Sequence, residues 1–168
     1  SLGADLVVGS AVDGRDLATL RSHSAADIDA MARRASAAFE QWKIVPAPIR
    51  GEMIRRYGEK IRGHKDDLAQ LLALENGKIL TEARGEIQEV IDICDYAVGL
   101  SRQLFGLTIA SERPEHRLTE YWHPKGVLGL ISAFNFPAAV WAWGTTVALV
   151  CGNTAIWKPS EKTPLIAL

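Results

Sequence analysis

Two segments indicate the fold of this chain: Leu130-Ile131-Ser132-Ala133-Phe134-Asn135-Phe136-Pro137 and Trp157-Lys158-Pro159-Ser160-Glu161. Each stretch closes an apolar run. We place strands at 126–133 and 154–158, and the first is typical of a strand buried on both faces of a parallel sheet. The residues between them, 137–151, predict a helix, because proline suits a first helical turn and a glycine follows the last one. Strand, helix and strand in this order indicate a right-handed βαβ unit.

The part of the chain before residue 126 predicts short strands followed by helices. Strands are expected at 6–8 and 16–20. The first helix is expected to start after Ser24, an N-cap with Asp27 three residues later. The second helix is predicted to bury one apolar row: Ile49, Met53, Tyr57 and Ile61.

Two further helices and a hairpin complete this part. The third helix is expected to stop at Asn76-Gly77, a favourable C-terminal cap. The fourth, from about residue 81 to 104, is predicted to bury the row Ala83, Ile87, Val90, Cys94 and Ala97. Beyond it, 107–110 and 117–122 alternate like the two strands of a hairpin.

These patterns predict an α/β fold in two portions. Residues 1–125 form a helical N-terminal portion with short strands and a hairpin. Residues 126–168 form the first βαβ unit of a doubly wound, Rossmann-like parallel sheet. Because two strands do not make a stable parallel sheet, we expect the missing strands to come from elsewhere and the chain to be a fragment of a larger protein. The first strand is not followed by GxGxxG, so an ordinary Rossmann fingerprint is absent.

The composition argues against several classes of function. The 168 residues are 48% hydrophobic and 23% charged, with a net charge of −1, which gives no support for nucleic acid or a membrane as a partner. The most apolar stretch, 126–157, is broken by Asn135, Pro137 and Gly152-Asn153, so it does not predict a membrane span. Two cysteines, and histidines without metal spacing, indicate neither a disulfide framework nor a metal site, and we expect a cytoplasmic location.

Asn135 lies in the turn after the first parallel strand, where ligands bind in open α/β sheets. Its side-chain NH₂ can donate to an oxyanion, and the adjacent helix start adds a positive field and free backbone N–H groups. The alternative is a helix N-cap, which asparagine makes well. The local sequence alone favours the cap.

Lys158 and Glu161 follow the second strand. In a nucleotide-binding interpretation both side chains hydrogen-bond ribose hydroxyls, and the carboxylate repels a 2′-phosphate, so that NAD is preferred over NADP. The alternative is a surface ion pair of little energetic value, which is favoured when this pair is considered alone.

The remaining candidate residues favour structural roles when considered locally. Cys151 is expected at the C-terminal end of a helix, where the dipole disfavours a thiolate, and Cys94 lies on a buried row, so both are interpreted as core residues. Trp141 and Trp143 are interpreted as core packing. One side of the fourth helix, interpreted as a solvated face, carries Glu82, Glu86 and Glu89.

At these residues the chain resembles the aldehyde dehydrogenase superfamily. The segment 133–137 is similar to the family's Asn-Phe-Pro element, and 152–164 is similar to its Gly-Asn…Lys-Pro-Ser/Ala-Glu…Thr-Pro segment. The resemblance runs over essentially the whole chain and corresponds to the N-terminal part of a family member. Within the superfamily, 85–89 and 91–102 resemble the antiquitin subfamily, the α-aminoadipic semialdehyde (in bacteria, piperideine-6-carboxylate) dehydrogenases.

The resemblance implies NAD-dependent oxidation of a small aldehyde, through a thioester on a cysteine that belongs to a later part of the family chain. It implies that Asn135 helps to stabilise the oxyanion, that Glu89 meets the amino end of the substrate and that Trp143 forms an aromatic wall. It also implies a homo-oligomer assembled through the hairpin. The residues implied to contact NAD are Ile131, Ser132, Ala133, Phe134, Lys158, Ser160 and Glu161.

Two alternatives stay open. One is another member of the superfamily, such as an acyl-phosphate reductase or a different aldehyde dehydrogenase. The other is an inactive fragment that binds nucleotide or supports assembly. A cysteine in a Gly-Gln-Cys-like setting after Leu168 would favour the enzyme. The 168 residues alone are expected to have no dehydrogenase activity, because they supply no activated nucleophile.

Overall fold

Five α-helices and three two-stranded sheets make up residues 3–168, the part of the chain that the computed structural model describes. The elements in chain order are β1 (Asp5–Gly9), β2 (Asp16–Arg21), α1 (Ala25–Trp42), α2 (Ala47–Gly63), α3 (Lys65–Asn76), α4 (Leu80–Leu100), β3 (Thr108–Ile109), β4 (Leu118–Thr119), β5 (Val127–Ile131), α5 (Ala139–Val150), β6 (Thr154–Lys158) and a 3₁₀ turn at Leu165–Ala167. This is the predicted incomplete α/β fold. Within these residues, no helix has both the length and the apolar character needed to cross a membrane.

Local sequence signals set several element boundaries as predicted. The Ser24 hydroxyl accepts from the Asp27 N–H at 3.3 Å, and the Asp27 carboxylate accepts from the Ser24 N–H at 2.8 Å, so a full capping box starts α1. Gly77 ends α3 with a φ of 84°, a left-handed conformation that glycine adopts without a Cβ penalty. Helix α4 ends at Leu100, earlier than expected, but its predicted row is fully buried.

The predicted buried row of α2 is confirmed only in its second half, where Tyr57 and Ile61 are partly buried and pack against the core. Ile49 is 55% exposed and Met53 is 51% exposed, whereas Gly51, Ile54 and Gly58 are buried. The reason is close packing of α2 on α4. A Cβ at Gly58 would lie 3.0 Å from the Cβ of Cys94, and one at Gly51 would lie 2.7 Å from the Cβ of Ser101 at the end of α4. The two glycines therefore allow α2 to approach α4 closely, Ile54 packs beside Cys94 of α4, and Ile49 and Met53 lie outside the contact.

Helix α4 is central to the core, because it packs against α2, α3 and α5. Its buried side chains join those of α3 and α5 in one apolar cluster that includes Leu72, Ile87, Val90 and Ala142. This cluster crosses the predicted boundary between residues 125 and 126. The division into two portions stays a prediction.

Strands β5 and β6, which precede and follow α5 along the chain, pair in parallel and give the predicted βαβ order. The helix starts at Ala139 rather than at residue 137. The prediction that β5 is buried on both faces is wrong: Val127 is 39% exposed and Ile131 is 82% exposed. The cause is that β5 has one strand neighbour among the described residues, and α1 and α5 lie mainly against β6.

The C-terminal end of α5 is fixed by two long side chains from earlier helices. Arg50 Nε donates to the carbonyl of Val150, and Trp42 Nε1 donates to that of Leu149, both at 2.8 Å. These carbonyls belong to the last helical turn, where a cation also complements the helix dipole. Gly152 follows with a φ of 92°, as a glycine just past a helix end should.

Candidate active site

The loops after β5 and β6 start side by side at one edge of the parallel sheet. Ile131 and Lys158, the last residues of the two strands, are register partners. The Ser132 N–H donates to the Lys158 carbonyl at 3.2 Å, and the Trp157 indole donates to the Ser132 hydroxyl at 2.8 Å. Residues 130–137 and 157–161 therefore form one structural unit at the carboxyl ends of their strands, which is the usual ligand-binding edge.

The predicted cofactor residues divide into exposed and buried ones. Ile131, Ala133 and Phe134 are exposed at this edge. Ser132 and Ser160 are 5% and 7% exposed, and the Ser160 hydroxyl accepts from the backbone N–H two residues later at 3.2 Å. Each of the two hydroxyls therefore already accepts one hydrogen bond within the chain, and contacts of these two residues with a cofactor stay a prediction.

Lys158 and Glu161 form an ion pair at 3.0 Å, and their side chains are 60% and 66% exposed. A hydrogen bond from its own backbone N–H, then the bond from Lys158, lowers the pKa of Glu161, so the carboxylate is ionised at neutral pH. An exposed pair of this kind is weakly held and can exchange partners with ligand hydroxyls. Together the two side chains offer one ammonium donor and one carboxylate acceptor.

A groove of about 340 Å³ lies beside this pair, between the β1–β2 hairpin and the loops after β5 and β6. Phe134 and Glu161 line it from the two loops, and Val8 lines it from β1. The Lys162 ammonium lies 4.7 Å from the centre of the Phe134 ring, so a cation–π contact joins the loops at the groove.

Asn135 is exposed in the turn between β5 and α5. The hydrogen bond formed at this residue uses its backbone oxygen, and its side-chain amide makes none within residues 3–168. The local interpretation as a helix N-cap is wrong, because the cap position is Ala138 and α5 begins one residue later. The amide is therefore free to donate to a ligand.

The start of α5 is capped by a residue that sequence reasoning missed. Glu86 Oε1 accepts from the N–H groups of Ala138 at 2.8 Å and Ala139 at 3.1 Å. These two N–H groups are not free for an oxyanion, which corrects the expectation for this helix start. The Glu86 side chain is 1% exposed, so the interpretation of this side of α4 as a solvated face is wrong for Glu86. The sequence signal for this burial was the spacing of Glu86, which lies between Ala83 and Val90 on the buried face of α4.

Glu89 and Trp143, the two predicted substrate residues, are in contact. Trp143 Nε1 donates to Glu89 Oε1 at 2.7 Å, which joins α4 to α5. Trp143 is 53% exposed, so it is not the core residue that the local reasoning favoured, and Val140 on the same helix face is 48% exposed. An oriented carboxylate thus lies beside an exposed aromatic ring. By contrast Trp141 is partly buried and stacks on Trp157 with ring centres 5.0 Å apart.

Neither cysteine is suited to nucleophilic attack. Cys94 is fully buried, and burial raises its pKa to about 11. Burial also raises the pKa of Cys151, although Arg50 opposes the shift. A thiolate is the reactive form, so both side chains are inert near neutral pH. The described residues also contain no cluster of three or more potential metal ligands.

The sequence matches the model of the aldehyde dehydrogenase family over residues 4–168. It is similar to aldehyde dehydrogenase family 7 member A1 of Pisum sativum, with 55% identity over 81% of this chain and 27% of the relative. It is also similar to the alpha-aminoadipic semialdehyde dehydrogenase of Bos taurus, with 47% identity over 90% of this chain and 28% of the relative.

The structure is similar to that of an E. coli NADP-dependent enzyme. The TM-score is 0.94 and the sequence identity 30%, over 98% of this chain and 34% of the solved one. The chain therefore spans only about a quarter to a third of the length of the proteins it matches.

Proposed function

This chain belongs to the aldehyde dehydrogenase family, and we propose that the protein containing it oxidises a semialdehyde that carries an amino group, with NAD⁺ as the oxidant. The observation that carries the proposal is the free amide of Asn135 in an exposed turn, at the same sheet edge as the Lys158–Glu161 pair. An oxyanion donor and a ribose-binding pair at one edge suit a reaction between a carbonyl compound and a nucleotide.

Asn135 is the oxyanion residue in this proposal. Attack on an aldehyde carbonyl places negative charge on its oxygen, and a donor already aimed at that oxygen stabilises the charge without reorganisation. The NH₂ group of Asn135 has no competing partner within residues 3–168, which supports this role. Neither Cys94 nor Cys151 can supply the attacking thiolate, because burial raises the pKa of both. The nucleophile is therefore a residue outside these 168.

Lys158 and Glu161 fit the ribose of a dinucleotide. The ammonium donates to a hydroxyl, and the carboxylate accepts from one. An ionised Glu161 also repels a phosphate on the 2′ position, which supports NAD over NADP, although the structurally similar E. coli enzyme is NADP-dependent. When bound, the cofactor supplies the hydride acceptor.

Glu89 and Trp143 would select the substrate. The carboxylate of Glu89, fixed by the indole N–H at 2.7 Å, can pair with an ammonium group, and the half-exposed ring of Trp143 can lie along an aliphatic chain. An α-amino semialdehyde offers both groups, as in the reaction named for the Bos taurus relative.

The test compares two aldehydes of equal chain length, one with and one without the amino group, using the full-length protein. Glu89→Gln should lower kcat/KM for the amino-bearing substrate by about 10-fold or more, since loss of a charged hydrogen bond costs about 1.5–3 kcal/mol. The plain aldehyde should be affected less than about threefold. Equal losses on both substrates would remove Glu89 from substrate binding and leave it a structural residue.

We further propose that the hairpin is a self-association surface. Its strands β3 and β4 pair only over two residues each. Around them, Phe105 is 72% exposed, Tyr121 is 76% exposed and Trp122 is 65% exposed. Large exposed apolar side chains grouped in this way support a homo-oligomeric interface. The cytoplasmic location stays a prediction.

A further inference from the structure

The turn that carries Asn135 is held by two side chains, one from the last residue of α3 and one from the connection between α3 and α4. Asn76 Nδ2 donates to the carbonyl of Phe134 at 2.6 Å, and Lys78 Nζ donates to the carbonyl of Asn135 itself at 2.9 Å. These carbonyls belong to consecutive residues. The backbone on which the Asn135 amide is mounted is therefore fixed from outside the turn, while the amide itself stays free.

Lys78 is also the partner of the buried Glu86. The two side chains form an ion pair and are 14% and 1% exposed. The second carboxylate oxygen of Glu86 accepts from the first N–H groups of α5, as described above. The Lys78 ammonium lies 4.6 Å from the centre of the Phe136 ring as well. One ion pair thus contacts the turn both at Asn135 and where α5 begins.

Burying such a pair is not explained by stability alone. Desolvation of two charges can exceed their mutual attraction, and apolar residues of similar volume often stabilise a core as well or better. What this pair supplies is geometry, since ammonium and carboxylate each make directed hydrogen bonds to the turn. A fixed turn matters most where a donor must meet a charge that develops during a reaction.

We propose that Lys78 and Glu86, assisted by Asn76, are positioning residues that set the place of the Asn135 amide in the oxyanion site. The inference rests on the proposed function, because it takes Asn135 as the oxyanion donor. Lys78 acts through the backbone oxygen of Asn135, and Glu86 acts by holding both Lys78 and the start of α5. Neither needs to touch the substrate.

The kinetic test is a double-mutant cycle in the full-length protein. The variant Lys78→Met/Glu86→Gln removes both charges together, and glutamine keeps an acceptor for the α5 N–H groups. It should lower the single-turnover rate by about 10–10²-fold, since a displacement of about 1 Å can cost 10²-fold. In an Asn135→Ala background the same pair of changes should cost less than about threefold, because the residue through which they act is gone.

Two comparisons make this cycle decisive. Lys78→Arg keeps the charge and should restore most of the rate. The exposed pair between Arg62 and Asp95, 3.2 Å apart, gives a matched control, and Arg62→Met/Asp95→Asn should leave the rate unchanged in both backgrounds. If the Lys78 and Glu86 changes lower the rate by the same factor with and without Asn135, the pair has only a general structural role and the proposal is wrong.

A crystal structure of the Lys78→Met/Glu86→Gln variant supplies a readout that does not depend on activity. The backbone of 134–136 should be displaced or adopt more than one conformation relative to the parent protein. An unchanged turn overturns the positioning role whatever the kinetics show. If the parent protein forms no NADH with any aldehyde, the proposed function fails instead, and the structure of the variant still decides whether the pair fixes the turn.

Discussion

Replacing Asn135 with alanine should slow catalysis strongly while leaving stability almost unchanged. The Asn135 side chain is exposed and its amide makes no hydrogen bond within the described chain. The turn is held through backbone carbonyls that the substitution does not alter. Loss of such a surface side chain usually changes the free energy of unfolding by less than about 0.5 kcal/mol. Loss of one oxyanion donor costs about 10²–10³-fold in kcat, or about 2.7–4 kcal/mol.

The assay should isolate the chemical step, because product release limits kcat in many enzymes. We suggest rapid mixing of the full-length protein, saturated with NAD⁺, with a semialdehyde, and recording NADH in the first turnover. Thermal unfolding of the same samples gives the change in stability. The affinity for NAD⁺ should change much less than the rate, since the proposed contact of Asn135 is with the substrate oxygen and not with the cofactor.

Asn153→Ala is the matched control. Asn153 Oδ1 accepts from the backbone N–H groups of Lys125 at 2.6 Å and Gly126 at 3.1 Å, so this asparagine is engaged in the structure. Its loss leaves two donors without their partner and should cost about 1–3 kcal/mol of stability, with little change in first-turnover rate per folded protein. An Asn135→Ala variant that behaves like this control, with lowered stability and a normal rate, would refute the oxyanion role.

Four further substitutions test other parts of the proposed structure and function. Glu161→Gln should relax selection against NADP, because it removes the negative charge expected to repel a 2′-phosphate. The measurement is the ratio of kcat/KM for NAD⁺ to that for NADP⁺. An unchanged ratio would show that Glu161 does not set the cofactor preference. Trp143→Phe keeps the ring and removes the N–H bonded to Glu89, so KM for an amino-bearing semialdehyde should rise more than KM for a plain aldehyde of equal length. Equal changes would mean that orientation of the carboxylate is unimportant. Gly51→Ala places a Cβ against the Ser101 side chain at the end of α4 and should destabilise the protein by about 1–3 kcal/mol. Gly85→Ala, which places a Cβ in open space on α4, should instead stabilise it by about 0.5–1 kcal/mol. Urea unfolding measures both changes, and a change of the same sign in the two variants would contradict the close α2–α4 packing.

The helix patterns that succeeded were those in which apolar spacing and close packing agree. Helix α4 buries its predicted row because its contact face is continuous and apolar. The row predicted for α2 fails at Ile49 and Met53 because glycines at 51 and 58 form the contact with α4. A pattern of hydrophobic side chains gives no sign of a contact made by residues without side chains. The periodicity of bulky residues therefore indicated a helix correctly and placed Tyr57 and Ile61 against the core, but it wrongly extended the buried row to Ile49 and Met53.

The candidate site could be located from sequence but not assembled from it. The order of strand, turn and helix placed Asn135, Lys158 and Glu161 at one sheet edge, and the structure agrees. The cap of α5 could not be predicted locally, since Glu86 comes from a helix far away in the sequence. For the same reason Asn135 looked like a cap, because nothing near it showed that another residue fills that role.

The most direct test of the account compares NADH formation by the full-length protein with that by the isolated chain of residues 1–168. Both are given NAD⁺ and an amino-bearing semialdehyde. We predict steady turnover by the full-length protein and none by the isolated chain, because Asn135 can stabilise an oxyanion only when a thiolate from elsewhere has formed it. Turnover by the isolated chain, or its absence in the full-length protein, would contradict the account.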